Sequence, residues 1–134
     1  MITVACVRVE GKGKRKYPLE YVLKLQSMVR RHLDRPFRMV CLTDKPEELP
    51  SDILGVRVKK PNKLRGWWAK VKLFDPNMPF EGRVLYLDLD VLVTGSLDEI
   101  VDYPADFAIV ADQSPAFKGA RGMPTVKGYN SSVM

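Results

Sequence analysis

Two aspartates, Asp88 and Asp90, lie within the apolar stretch "RVLYLDLDVLV" that runs from residue 83 to 93. A carboxylate buried without a partner is costly, so we expect the pair to lie where a strand ends and to meet a cation there. Alternate residues of an extended chain point to the same side, so both carboxylates can reach one ion. Carboxylate oxygens favour Mg²⁺ or Mn²⁺. The pattern therefore predicts a divalent-metal site.

Other interpretations of this pair remain open. A bare Asp-x-Asp often belongs to a turn or a helix cap, although apolar residues continue on both sides of this one. A phosphatase of the haloacid dehalogenase type also places Asp-x-Asp after an apolar strand. That chemistry expects Thr or Val where this chain has Leu92, and it requires further lysine and acidic motifs downstream. The phosphatase is therefore the less favoured alternative.

The apolar pattern alternates between strand-like and helix-like segments along the chain. Helices are predicted at 18–33, 66–74 and 95–103, and strands at 2–9, 37–44, 53–60, 83–93 and 106–112. This alternation predicts an α/β fold with a mainly parallel sheet and flanking helices, in a single domain over residues 1–134.

Acidic residues end three of the predicted strands. They are Asp44, the pair at 88 and 90, and Asp112. Ligands of such sheets bind outside the carboxyl ends of the strands. The spacing therefore predicts several carboxylates along one rim of the sheet.

The composition is typical of a globular domain, with 134 residues, 46% of them apolar and 28% charged. No apolar run approaches the length of about 20 residues that spans a membrane. The chain does not begin with a basic segment followed by an apolar one, so we expect a cytoplasmic protein. Cys6 and Cys41 fall in strand-like runs and are expected to be buried, reduced thiols.

The net charge of +6 has two interpretations. Basic clusters at 12–16, 30–31 and 59–60 can be solvated surface, or they can attract anionic substrates, nucleic acid or an acidic membrane. The aromatic residues fall mostly in apolar runs instead of alternating with basic ones. This distribution argues against a nucleic-acid partner.

The stretch "RVLYLDLDVLVTGSLDEI" resembles the metal-binding segment of glycosyltransferases with the GT-A fold, especially family-eight-like enzymes and related bacterial proteins. Four further segments are similar in order and spacing, so the resemblance covers nearly the whole chain: "EYVLKLQSMVRRHLDRPFRMVCLTDKPEEL", "GWWAKVKLF", "DFAIVAD" and "YNSSVM". It implies a Rossmann-like fold that binds a nucleotide-diphosphate sugar for transfer to an unknown acceptor. Among such donors, a UDP-sugar is favoured.

The resemblance also implies roles for individual residues. Asp88 and Asp90 match the pair that holds Mn²⁺ or Mg²⁺ against the donor diphosphate, and Leu89 lies between them in the same donor-binding motif. Lys70 matches a basic residue that contacts the donor. The donor and metal site is thus expected at these four residues.

The catalytic candidates implied by the resemblance are Asp112, which matches an acid that hydrogen-bonds the transferred sugar, and Asn130, which matches a residue of the substrate pocket. The family carries an Asp and a Tyr after its first strand to hold the nucleotide base. This chain has Arg8 and Glu10 there, with Tyr17 displaced, so the base preference is left open.

The family's third metal ligand, a downstream histidine, lies beyond the point where this sequence ends. We therefore expect the N-terminal part of a longer enzyme, which binds donor weakly, transfers little sugar and self-associates through an exposed sheet edge. The alternative from another class is a nucleotide or nucleic-acid binding module without turnover.

Overall fold

The computed structural model describes residues 1–9, 17–58, 66–111 and 129–134, without the side chains of 66–68 and 130. The described helices are α1 Leu19–His32, α2 Asp98–Val101 and two 3₁₀ helices, Pro46–Glu48 and Gly66–Phe74. The strands are β1 Ile2–Arg8, β2 Phe37–Thr43, β3 Ile53–Arg57, β4 Arg83–Tyr86, β5 Val110–Ala111 and β6 Tyr129–Asn130.

Four strands form a parallel sheet in the order β3-β2-β1-β4. β1 is central, and its Ile2 lies opposite Phe37 of β2 and Arg83 of β4. The apolar runs of β1 and β2 are buried along nearly their whole length, as expected for strands covered on both faces. The predicted α/β class with a parallel sheet is confirmed.

Helix α1 covers one face of the sheet. It begins directly after Pro18, whose fixed φ suits a helix entry. Val22, Leu25 and Val29 recur at helical spacing and are fully buried in the core. Burying each such side chain contributes about 1.5–3 kcal/mol. The apolar face of α1 therefore holds the helix against β1 and β2.

The two cysteines behave as predicted. Cys6 and Cys41 are register partners on adjacent strands, and both are buried and free. The hydrogen bond to Cys41, together with burial, raises the pKa of the Cys6 thiol. A thiol in this setting is a small apolar core residue and not a reactive one.

The segments predicted at 95–103 and 106–112 form shorter elements in the structure than expected. The strand predicted at 106–112 is reduced to β5, which pairs antiparallel with β6 and does not join the parallel sheet. The helix predicted at 95–103 is reduced to the single turn of α2. Both segments carry exposed apolar side chains, including Ile100, Phe107 and Val110. An apolar run in the sequence does not by itself show whether its side chains will be buried in the core.

The last residues extend the sheet on the outer side of β4. Tyr86 and Met134 exchange backbone hydrogen bonds of 2.6 and 3.1 Å, and the N–H of Asp88 donates to the Ser132 carbonyl at 2.8 Å. These bonds surround an isolated antiparallel bridge between Leu87 and Val133. No helix among the described residues is both long and apolar enough to cross a membrane.

Candidate functional site

The carboxyl ends of β1 and β4 lie side by side at the point where the strand order of the sheet reverses. β2 and β3 lie on one side of β1, and β4 lies on the other. In open α/β sheets, ligands bind in the crevice at such a switch point. Arg8 ends β1, and the two aspartates follow β4 by a few residues. The fold thus places the predicted metal ligands where ligand binding is expected.

A turn, and not a continued strand, presents the two aspartates. The strand predicted at 83–93 ends at Tyr86, and Leu87 makes one more bond, to the Ala5 carbonyl at 3.0 Å. The chain then turns, with the Val91 N–H 3.2 Å from the Asp88 carbonyl. Because Leu89 is buried in the core, any contact between this residue and a ligand would involve its backbone.

Asp88 already has a cationic partner. The ammonium Nζ of Lys70 lies 2.7 Å from Oδ1 and 2.9 Å from Oδ2 of Asp88. The side chains are only 18% and 21% exposed, so water screens this pair less than a surface ion pair. The Tyr86 hydroxyl also donates to Oδ1. In the structure the cation that meets Asp88 is therefore a lysine, whereas the sequence predicted a divalent metal there.

Lys70 comes from the 3₁₀ helix Gly66–Phe74 and joins three segments of the chain. Its neighbour Ala69 is buried, which anchors this part of the helix. The ammonium lies 3.2 Å from the Ser131 hydroxyl and 5.3 Å from the centroid of the Tyr86 ring. An ammonium has three donors on a flexible stem, so it can exchange one anionic partner for another.

Asp90 has a different partner. Its side chain is exposed, and its Oδ2 accepts a hydrogen bond of 3.1 Å from the Tyr17 hydroxyl. The Tyr17 carbonyl in turn accepts a 3.0 Å bond from Nε of Arg8. Within the described part of the chain, Oδ1 of Asp90 has no hydrogen-bond partner. Tyr17 was expected only as a residue displaced from the base-holding position, and its contact with Asp90 was not predicted, although its place between β1 and α1 is a signal that it lies at the same rim.

Both tyrosines donate as neutral phenols. Burial and the hydrogen bond to Asp88 raise the pKa of Tyr86 far above its ordinary value. Burial, followed by the hydrogen bond to Asp90, raises the pKa of Tyr17. Each aspartate of the pair therefore accepts a proton-bearing hydroxyl at neutral pH.

Arg8 is a buried charge beside this cluster, with only 5% of its side chain exposed. Its Nη2 lies 2.8 Å from Oε2 of Glu48, at the end of the 3₁₀ helix that follows β2. A guanidinium is removed from water at a high cost unless it is paired. The ion pair with Glu48 and the bond to the Tyr17 carbonyl offset part of this cost, while Nη1 of Arg8 is buried without a hydrogen-bond partner among the described residues.

The donor set fits one kind of metal site. No group of three or more His, Cys, Asp or Glu side chains within the described residues is arranged to hold a metal ion. A protein-only cage is thus not seen there. Mg²⁺ commonly uses one or two carboxylates together with substrate phosphates and water. Asp88 and Asp90 fit an ion that arrives with a diphosphate.

The other predicted site residues lie outside the described residues, lie away from the aspartate pair, or are described only in their backbone. Asp112 lies outside the described residues, as do Glu10 and the basic clusters at 12–16 and 59–60. The backbone of Asn130 belongs to β6, next to Ser131, which contacts Lys70. Asp44 follows β2, two strands away from β4, or about 10 Å at the usual strand spacing. The predicted rim of acids therefore reduces to the pair at β4 within the described chain.

A separate apolar groove of about 1170 Å³ lies along the outer side of β4. Its lining includes Phe74, Ile100, Phe107 and Met134, but not Lys70 or the two aspartates. The groove therefore adjoins the polar cluster without including it.

No protein-family model matches the chain, and no curated protein matches it.

Proposed function

We propose that this chain is the donor-binding part of a metal-dependent glycosyltransferase of the GT-A type. It binds a nucleotide-diphosphate sugar together with Mn²⁺ or Mg²⁺, for transfer of the sugar to an acceptor. A UDP-sugar is the favoured donor. One observation carries the proposal: Lys70, Asp88 and Asp90 are grouped at the switch point of a parallel β3-β2-β1-β4 sheet.

The chemistry of transfer matches the charges of this cluster. Breaking the bond between sugar and diphosphate expels a nucleoside diphosphate, and negative charge builds on the leaving phosphate. Fixed positive charge aimed at that position lowers the barrier. A divalent ion held by Asp88 and Asp90 supplies part of this charge. The ammonium of Lys70 supplies the rest from within the protein.

The Lys70–Asp88 ion pair links the binding of the metal to the binding of the donor diphosphate. A divalent ion on Asp88 would neutralise the carboxylate and repel the ammonium. Lys70 would then lose its partner and turn toward the nearest new anion, which is the diphosphate of the donor. The ion pair with Asp88 would thus hold the partly buried Lys70 in place until the donor diphosphate replaces its carboxylate partner.

The roles of Asp112 and Asn130 follow from the resemblance and remain part of the proposal. Asp112 would accept a hydrogen bond from a hydroxyl of the transferred sugar. Asn130 would line the substrate pocket, beside the Ser131 that touches Lys70.

A turnover assay separates the three function classes. The chain is incubated with a panel of UDP-, GDP- and CDP-sugars and Mn²⁺, and release of the nucleoside diphosphate is followed. Release that requires Mn²⁺ and is lost in Asp88→Asn supports the transferase. Hydrolysis of p-nitrophenyl phosphate without any release from nucleotide sugars would instead identify a phosphatase. Nucleotide binding that does not depend on Mn²⁺, without either reaction, would identify a binding module.

A further inference from the structure

Each aspartate of the pair accepts a tyrosine hydroxyl, but the two tyrosines reach the site by different routes. Tyr86 is the last residue of β4 and lies two residues before Asp88 in the chain. Tyr17 is 73 residues away from Asp90 in sequence and reaches it from the segment just before α1. A contact between residues two positions apart can follow from local chain geometry alone, whereas the contact of Tyr17 requires the rest of the fold to place it.

Three contacts place Tyr17. Its carbonyl accepts the 3.0 Å bond from Nε of Arg8. The next residue, Pro18, is the entry to α1 and restricts the backbone at that point. The ring packs against Tyr21 of α1, with centroids 5.0 Å apart. The hydroxyl is thus attached to a residue whose backbone and ring are both held.

Arg8 is held in its turn. It is buried, and its Nη2 is paired with Glu48 from the segment after β2. Its Nε is directed to Tyr17. A buried arginine that uses one nitrogen on a carboxylate and another on a backbone carbonyl fixes the distance between those two partners. The sheet therefore supports Tyr17 through a buried side chain.

We infer that Tyr17 is a positioning residue for Asp90 as a metal ligand, and that Arg8 acts through Tyr17. The inference rests on the proposed function. The hydroxyl fixes Oδ2 of Asp90, and it leaves Oδ1 without a hydrogen-bond partner among the described residues and available to a divalent cation. Hydrogen bonds from outside the ligand shell orient ligating carboxylates, and loss of such a partner typically costs about 10–100-fold in metal affinity.

The test compares Mn²⁺ affinity in wild type, Tyr17→Phe and Tyr21→Phe, by electron paramagnetic resonance of free Mn²⁺ in the presence of UDP. Tyr21→Phe is the matched control, since it removes a neighbouring phenol hydroxyl and keeps the ring contact. We expect Tyr17→Phe to weaken Mn²⁺ binding by about 10–100-fold and Tyr21→Phe to leave it unchanged. UDP affinity in EDTA and the thermal unfolding temperature should be the same in all three proteins.

A double variant tests the part played by Arg8. Arg8→Lys keeps a charge but loses the Nε that donates to Tyr17. If Arg8 acts through Tyr17, adding Arg8→Lys to Tyr17→Phe should weaken Mn²⁺ binding no further than Tyr17→Phe alone. Additive losses would show that Arg8 does not act through Tyr17. The comparison of Tyr17→Phe with Tyr21→Phe decides the role of Tyr17 even if Arg8→Lys does not fold.

The remaining outcomes separate this inference from the proposed function. If Tyr17→Phe binds Mn²⁺ as wild type does while Asp90→Asn does not bind it, Tyr17 has no positioning role and the metal site stands. If Tyr17→Phe binds Mn²⁺ more tightly, the hydroxyl competes with the metal and the inference is overturned. If wild type with UDP binds no Mn²⁺, the proposed function fails together with the inference.

Discussion

Lys70 and Asp88 form a two-pronged ion pair at the carboxyl end of β4, with Nζ 2.7 Å from Oδ1 and 2.9 Å from Oδ2. The pair is mostly withdrawn from water, and it lies where the proposed function places both the metal and the diphosphate. A metal ion bound to Asp88 and a diphosphate bound to Lys70 would each have to compete with this contact. Removing the lysine is therefore expected to change the affinity for the metal and the affinity for the diphosphate in opposite directions.

Lys70→Ala should weaken UDP binding by about 1–3 kcal/mol, the scale of a hydrogen bond that involves a charge. Uridine, which has no phosphate, should bind unchanged. Mn²⁺ alone should bind more tightly, because Asp88 no longer faces an ammonium. Lys72→Ala is the control, since Lys72 is an exposed lysine of the same 3₁₀ helix. Equal losses for uridine and UDP would mean that Lys70 acts on the stability of the fold.

Tyr86→Phe should lower the free energy of unfolding by about 0.5–1.5 kcal/mol, since it removes one hydrogen bond to Asp88 and preserves the ring. Urea denaturation measures this difference. Because the pKa of Tyr86 is raised, the loss should be constant from about pH 6 to 9, below the ordinary tyrosine pKa. Tyr103→Phe, on an exposed ring, serves as the control. A variant as stable as wild type would show that the hydroxyl contributes nothing to folding.

Asp52 should make stability sensitive to acid. The hydrogen bond from Gln26 and the neighbouring Arg30 lower the pKa of Asp52 below its ordinary value of 3.8. A carboxylate with a depressed folded-state pKa stabilises the protein above its unfolded pKa, and this contribution is lost as pH falls through the folded pKa. The stability gap between wild type and Asp52→Asn, measured by thermal unfolding, should therefore close as pH falls below 3.8. A gap that widens with acid would contradict the sign.

The outer edge of β4 should promote self-association. Tyr86 pairs with Met134, but the next edge position, Val84, has no backbone partner of this kind among the described residues. An apolar groove with Phe107 exposed runs beside it. Light scattering should show a mass that rises with protein concentration, and Phe107→Lys should reduce the rise. Leu23→Lys, on an exposed position of α1, should not. Monomeric behaviour at all concentrations would rule out this association.

The elements that could be predicted from sequence are those in which burial imposes a period. The spacing of Val22, Leu25 and Val29 determines which side of α1 faces the sheet, and the structure buries all three. The lengths of β4 and β5 could not be predicted in the same way. An apolar run looks the same whether it continues a strand, as in β1, or turns at Leu89 and Asp90.

The candidate site was predictable only in part. Asp88 and Asp90 were found because a pair of acids in an apolar run is costly unless the strand ends there. The contact of Lys70 with Asp88 and that of Tyr17 with Asp90 join residues 18 and 73 positions apart. Both depend on which strands are neighbours, and the β3-β2-β1-β4 order cannot be obtained from the pattern of any single segment.

Isothermal calorimetry of UDP binding, with Mn²⁺ and with EDTA, tests the central claim most directly. The account predicts that UDP binds far more tightly with Mn²⁺, and that Asp90→Asn removes most of this difference. Asp34→Asn, an exposed aspartate after α1 at the opposite end of the sheet, should retain the full difference. Equal UDP affinity of the wild-type protein with Mn²⁺ and with EDTA would contradict the assignment of Asp88 and Asp90 as the metal and donor site.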